Sequence, residues 1–290
     1  MNKRIRKAIF PVGGLGVRFL PATKALPKEM LPVVDRPLIQ YAVDEARDSG
    51  IEEFIFVTGR GKTAIENHFD YSFELLQTLK DRNMKDEIEA MLALSPNPGQ
   101  IAYVRQQEPL GLGHAVWCAR HLVGDEAFAV ILADDLILAE TPCLKQMVDV
   151  YEEKGANIVA TMEVPEDQTS RYGIVDTDSN SDLLRKITGL IEKPTVGNAP
   201  SNIAIIGRYI LLPEVFNELG KKKVGEGGEI QLTDALSSLI ETQSFYGLDF
   251  NGKRFDCGDK LGYLEANIAF ALEREDLGPS LRKVLTNYGF

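Results

Sequence analysis

Cysteine, histidine and tryptophan are scarce in this chain, at three, three and one among 290 residues. Cys118, Cys143 and Cys257 stand far apart, so neither a disulfide framework nor a cysteine-rich zinc site is indicated. His68, His114 and His121 are equally dispersed, and no H-E-x-x-H helix of a zinc peptidase occurs. G-x-S-x-G is missing too, and no Cys and His fall at a recognisable catalytic spacing. Hydrolase and metalloprotease chemistry has no residues to stand on. No apolar run approaches the roughly 20 residues of a membrane span. The basic start MNKRIRKAIF passes into a short apolar strand rather than a secretory core, so the expected compartment is the cytoplasm.

Composition is that of a globular protein, with 44% apolar and 26% charged residues, and the length suits one large α/β domain or two small ones. A net charge of −11 argues against nucleic acid or an anionic membrane as the main partner. Its distribution is more telling. Residues 1–36 hold eight Lys/Arg against two Asp/Glu, while the remainder holds 24 against 41. A cationic segment on an acidic protein suits capture of a small anion.

That segment is FPVGGLGVRFLPATKALPKEMLPVVDRP, Phe10 to Pro37. An apolar strand at 7–12 empties into a turn with Gly13, Gly14, Leu15 and Gly16, followed by Arg18, Lys24, Lys28 and Arg36. Glycines let backbone N–H groups approach an anion closely, and the cations neutralise it. The intervening prolines predict an extended rather than helical course. The run is not G-x-x-x-x-G-K-[ST], so it is no P-loop. Nor is it G-x-G-x-x-G, since Phe19 takes the place of the third glycine and Pro21 interrupts any helix. A polyphosphate, not a nicotinamide or flavin cofactor, is the expected ligand.

Strands and helices alternate through the first half: strands near 7–12, 53–58, 101–105 and 128–132, and helical pattern at 38–49, 63–95 and 113–122. This predicts a parallel, helix-covered sheet with ligands at the carboxyl ends of its strands. The second half is more β-rich, with strands expected at 156–163, 173–176, 183–192, 204–211, 244–249 and 252–256. Helices are expected at 143–154, 213–219, 230–241 and 260–275.

Three further constellations carry chemistry. Gln106 with Gly111-Leu112-Gly113-His114 offers a paired donor and acceptor for a base edge, although a glycine-rich helix entry reads the same way. Asp134-Asp135 closes the apolar run AVILA, and Asp256 ends another strand. Carboxylates at a sheet mouth facing phosphate suit Mg²⁺, and side-chain alternation directs only one of Asp134 and Asp135 into the cleft. Glu192-Lys193-Pro194 closes the strand at 183–192. Its carboxylate suits sugar hydroxyls and its lysine a phosphate, with Gly173 presenting a bare N–H nearby; the tripeptide alone is also common surface sequence.

Together GGLGVRFLPATKALPKEMLPVVDRPLIQY, VRQ…GLGHA, LADD, RYGI, IEKP, SNIAIIGRYIL, GEIQLTDA and FDCGDKLGY resemble the sugar-1-phosphate nucleotidyltransferases over residues 5–275. The resemblance implies a Rossmann-like three-layer α/β/α fold with a mostly parallel mixed sheet and a smaller β-rich sugar-binding part. It also implies one domain over 1–290, with a nucleotide-binding half (about 1–140), a sugar-phosphate half (about 141–275) and a tail (276–290). It assigns Gly13, Gly14, Leu15, Gly16, Arg18 and Lys28 to the triphosphate and Gln106 and Gly111 to uracil. Asp134 becomes the Mg²⁺ ligand with Asp256 a second acid near it, and Gly173, Glu192 and Lys193 hold the sugar phosphate. The implied substrates are UTP and glucose 1-phosphate, the products UDP-glucose and pyrophosphate, and the implied assembly a homodimer or homotetramer. Arg18, Lys28, Asp134 and Lys193 are the implied catalytic set. One departure stands out: Val17 occupies the position where the family usually carries threonine, which removes a hydroxyl but no backbone N–H. Transfer of another base to another sugar, and a weakly active sugar-nucleotide binder, stay open at this point.

Overall fold

The computed structural model describes residues 4–178 and 183–289. Residues 1–3 of the basic start, residues 179–182 and the last residue of the expected tail lie outside it.

Nine strands among the described residues join in one mixed sheet. Four are parallel and run, from the edge inward, Ile101–Arg105, Glu53–Thr58, Lys7–Pro11 and Phe128–Ile131. Their alternate side chains are apolar on both faces, as a doubly covered strand requires. Ala8 and Phe10 pack with Phe54 and Phe56 beneath the helices Leu38–Asp48 and Cys143–Lys154. Ile9 packs with Ile55 and Val57 on the opposite face, beneath Leu112–Cys118, Val215–Gly220 and Leu232–Leu239. Three layers result.

From Lys7–Pro11 the chain steps outward through Glu53–Thr58 to Ile101–Arg105, then returns on the other side with Phe128–Ile131. Such a reversal opens a crevice beyond the carboxyl ends of the two flanking strands. The glycine loop leaves one of these ends and Asp134 leaves the other. Ile203–Leu211 continues the sheet antiparallel, followed by Asn157–Glu163, Phe245–Asp249, Leu184–Glu192 and Gly173–Thr177. Ala204 also pairs with Ile174, so this end curls back on itself.

A separate ribbon pairs Asp135–Leu138 with Lys253–Asp256, with Asp135 opposite Asp256. The first of these strands was not expected from the sequence, because the acidic pair before it reads as a strand end. Three other expectations are corrected. The helical pattern over 63–95 is three helices, Thr63–Phe69, Phe73–Asp81 and Lys85–Leu94, and Asn83 at φ +56° breaks the last two apart. The helix expected at 113–122 is Leu112–Cys118 followed by the short turn Arg120–Val123. The proline-spaced loop is extended at Pro27, Pro32 and Pro37 as expected, but single 3₁₀ turns at Val17–Phe19, Ala22–Lys24 and Lys28–Met30 interrupt it. The C-terminal tail carries a helix of its own, Gly278–Asn287.

One buried charge ties the turn after Phe128–Ile131 to the helix Leu38–Asp48. Arg208 is 1% exposed and all its N–H groups are engaged. Nε and Nη2 reach the Glu45 carboxylate at 3.0 and 2.8 Å. Nη1 donates to the carbonyls of Leu132 and Gly207, each at 3.0 Å, and Nη2 to that of Asp135 at 2.8 Å. Glu45 also accepts from the Leu144 N–H at 3.0 Å. Removing one partner of such a pair strands the other charge in a dry interior. Arg208→Leu is expected to cost about 3–5 kcal/mol of folding stability, read from the shift in urea midpoint; a loss under 1 kcal/mol would show that the pair contributes no more than a surface one.

Candidate active site

The glycine loop is held from below by a buried ion pair. Lys62 Nζ donates to the Gly14 carbonyl at 2.6 Å and to Glu29 Oε2 at 2.8 Å, and both side chains are buried. A trans peptide points its C=O and N–H in opposite directions. With the Gly14 carbonyl drawn inward, the Leu15 N–H is presented away from Lys62. Burial raises the Glu29 carboxyl above its ordinary value, against the opposing pull of Lys62 and Lys28. Gly16 sits at φ +67°, and a Cβ there would meet Lys28 Cβ at 3.1 Å and Thr23 Cγ2 at 3.2 Å, so only glycine fits. Thr23 Oγ1 donates to the Gly16 carbonyl at 2.7 Å. Leu15 and Val17 are exposed at the loop's tip.

Across the crevice, Lys28 Nζ meets Asp134 Oδ2 at 2.5 Å. Burial pushes the Asp134 carboxyl up, but the Lys28 charge and the bond it donates outweigh this, and the carboxyl is held below its ordinary value. Burial likewise disfavours the Lys28 ammonium, yet Asp134 and Glu29 leave it raised above its ordinary value. Asp134 therefore stabilises the fold above the ordinary carboxyl value and loses this as pH falls through its depressed one. Lys28 stabilises below the ordinary lysine value and loses this as pH rises through its raised one. The pair is intact across the neutral range.

Asp135 is turned from Lys28 toward Gly207 and Arg254. It accepts from the Gly207 N–H at 2.8 Å and from Arg254 Nε at 2.6 Å. Asp256, opposite it on the ribbon, accepts from the Gly258 N–H at 3.1 Å and from Arg171 at 3.3 Å. Arg18 Nη1 reaches the Gly258 carbonyl at 3.5 Å. A Cβ on Gly258 would stand 3.1 Å from Asp134 Oδ2, 3.1 Å from Asp256 Oδ1 and 3.7 Å from Arg18 Nη1. Glycine leaves this gap open between two carboxylates. The donor set fits Mg²⁺, which takes one or two carboxylates and completes its shell with phosphate and water. Among the described residues no cluster of three or more His, Cys, Asp or Glu forms a closed cage.

Gln106 and Gly111 lie at one end of this crevice. Gln106 Nε2 donates to the Gly111 carbonyl at 3.1 Å, and a Cβ on Gly13 would be 3.1 Å from Gln106 Oε1. Gly111, at φ +104°, would with a Cβ meet Glu229 Cβ at 2.7 Å, and the Gly113 N–H donates to the Ile230 carbonyl at 2.8 Å. These glycines make room first for the 229–231 backbone. At the other end, a Cβ on Gly173 would be 3.2 Å from Glu192 Oε2 and 3.1 Å from Thr233 Oγ1. Lys193 pairs with Glu192 at 3.3 Å rather than with Asp134 or Asp256. Gly173, Glu192, Thr233, Arg171 and Asp135 line a cavity of about 150 Å³. A larger cavity of about 800 Å³, lined by Glu163, Asp176, Ser201 and others, holds none of the expected site residues.

Sequence reasoning missed Lys62, Arg171 and Thr233. RYGI and QLTDA contain the last two, but neither spacing nor charge singles them out there. Lys62 follows an ordinary strand end, and nothing local marks it as a partner for a loop 48 residues away.

A family description for nucleotidyl transferases matches residues 7–272. The chain belongs to the nucleotidyl transferase family. It is 51% identical over 279 residues to the UTP–glucose-1-phosphate uridylyltransferase of Bacillus subtilis, covering 96% of this chain and 95% of that one. A UTP-bound UGPase from Acinetobacter baumannii superposes with a TM-score of 0.89 at 40% identity, over 97% of this chain and 99% of that one. A UDP-glucose pyrophosphorylase complexed with UDP-glucose matches with a TM-score of 0.83 at 43% identity, over 93% and 100% of the two chains. No helix among the described residues of this nucleotidyl transferase is long and apolar enough to cross a membrane.

The Lys28–Asp134 pair is open to direct test. Lys28→Met removes the counter-charge and leaves burial as the dominant influence, so the Asp134 carboxyl should move from below its ordinary value to above it. A carboxyl ¹³C NMR titration reads this shift, and an unchanged titration would mean that the pair does not form.

Proposed function

We propose that this nucleotidyl transferase moves a uridylyl group from UTP to glucose 1-phosphate, releasing pyrophosphate and forming UDP-glucose. The observation that carries this reading is the gap at Gly258, bounded by Asp134, Asp256 and Arg18 and faced by Lys28, at the mouth between two parallel strands. The relatives' printed activities give the base and the sugar.

In this reading the N–H groups of Gly13, Gly14, Leu15 and Gly16 hold the triphosphate, with Arg18 and Lys28 neutralising its charge. Gln106 and the Gly111 backbone take the uracil. Gly173 and Glu192 take the glucose ring, and Lys193 its phosphate. A phosphate oxygen of glucose 1-phosphate attacks the α-phosphorus in line with the departing pyrophosphate. The nucleophile is ionised already, so no side chain has to remove a proton; positioning and charge neutralisation remain. Asp134, with Asp256 beside it, would hold Mg²⁺, which supplies positive charge between two mutually repelling anions. Lys28, paired with Asp134 in the free protein, would be free to face the phosphates where Asp134 held the ion. Val17 removes a side-chain hydroxyl but leaves the loop's N–H groups in place. The cytoplasm, and a homodimer or homotetramer, complete this reading.

A pyrophosphate-release assay with UTP and glucose 1-phosphate tests it. Lys28→Ala and Asp134→Asn should each lower turnover about 10²–10³-fold, the range for loss of one preorganised charge, with unchanged circular dichroism. Chelation should abolish release and added Mg²⁺ restore it. Binding of UTP without pyrophosphate release under any of these conditions would instead make the protein a sugar-nucleotide binder.

A further inference from the structure

Gln106 can meet a base edge in either of two orientations, because its amide donates at one end and accepts at the other. Its surroundings decide which. The Gly111 carbonyl, 3.1 Å from Nε2, can only accept, so the amide nitrogen has to face it. His114 Nδ1 lies 3.1 Å from that same nitrogen and takes its second hydrogen. Both N–H bonds of the amide are thereby occupied within the protein. Oε1 alone is left for a ligand, and it faces the glycine loop, where a Cβ on Gly13 would be 3.1 Å away. An edge that only accepts selects a base with an imino N–H, such as uracil. It opposes cytosine, whose corresponding nitrogen is itself an acceptor.

We infer that His114 is a positioning residue for base selection, a neutral imidazole that accepts through Nδ1 and locks the Gln106 amide with its oxygen toward the base. This deepens the uridylyltransferase reading and rests on it. The geometry assigns the tautomer: Nδ1 accepts, so the proton is on Nε2, which lies 3.9 Å from Cys118 Sγ. The neighbours favour the neutral ring. Burial disfavours the imidazolium first, then Lys222; the Glu108 carbonyl and carboxylate act in the opposite sense without reversing it, and Arg120 adds the smallest push toward the neutral ring. Both cations stand over the Trp117 ring, at 3.6 Å for Arg120 and 4.8 Å for Lys222, and that ring stacks on His114 at 5.9 Å. Positive charge is thus fixed beside the imidazole. Were His114 protonated, Nδ1 would become a donor facing another donor, and the hold on the amide would be lost.

Two variants separate this role from mere packing. His114→Leu keeps an apolar group of similar bulk but no acceptor. His114→Asn can place an oxygen where Nδ1 stands, since both branch from Cγ. The readout is the ratio of kcat/KM for UTP to that for CTP in pyrophosphate release, together with the ratio of their Kd values by calorimetry. The Leu variant should lower both ratios about tenfold, the worth of one hydrogen bond, chiefly by raising KM for UTP with kcat little changed. The Asn variant should retain the parent's ratios. On acidification below the ordinary histidine value, the parent's ratios should fall while those of the Asn variant stay flat. Parent-like ratios in the Leu variant, or equal losses in both variants, would overturn the inference. A parent inert with UTP and glucose 1-phosphate would refute the proposed function instead, and the calorimetric ratios would still decide the role of His114.

Discussion

Two opposite charges meeting across the mouth of a parallel sheet are the constraint on which this site depends. Lys28 arrives on a loop leaving one strand, and Asp134 on the turn leaving its neighbour. Neither would hold its position alone. Buried pairs stand behind both, Glu29 with Lys62 under the loop and Glu45 with Arg208 under the turn. Dry ion pairs of this kind contribute little net stability, because desolvation offsets most of their attraction. What they provide is definition. Arg208 gathers the carbonyls of Leu132, Gly207 and Asp135 around one guanidinium, and Lys62 turns one peptide so that its N–H faces the other way.

Much of this was legible in the chain. The apolar runs at 7–12, 53–58, 101–105 and 128–132 give the parallel half of the sheet, and each turned out within a residue of its expected bounds. Position in that alternation was enough to put the glycine loop and Asp134 at one mouth. Their meeting with Asp256 was harder to see. It depends on a short ribbon formed by two segments more than 100 residues apart, and nothing local announces that pairing. The same holds for Lys62, Arg171 and Thr233, whose roles are created by partners distant in sequence. Pro27, Pro32 and Pro37 of the cationic loop do hold extended backbone, and the 3₁₀ turns fall between the prolines, because a proline restricts itself and the residue before it but not those that follow. The pattern over 63–95 reads as one helix because its apolar spacing persists, while its interruptions at 70–72 and 82–84 contain neither glycine nor proline to mark them.

The two recognition ends of the crevice differ in how they are built. Gln106 is restrained by the Gly111 carbonyl, which can only accept from it, so its orientation is set by its surroundings before any ligand arrives. Glu192 instead pairs with the exposed lysine beside it and stands against Gly173 and Thr233. One end is closed by hydrogen bonds within the protein; the other keeps a carboxylate whose partner can be exchanged.

The segment 229–233 touches both ends. Its backbone abuts Gly111 and Gly113 on one side, and Thr233 stands against Gly173 on the other. It thereby acts as a strut whose length sets the distance between the Gln106 and Glu192 ends of the crevice. A chain altered within this strut to widen the Glu192 end would shift the Gln106 end as well, so the shapes of the two ends are mechanically linked.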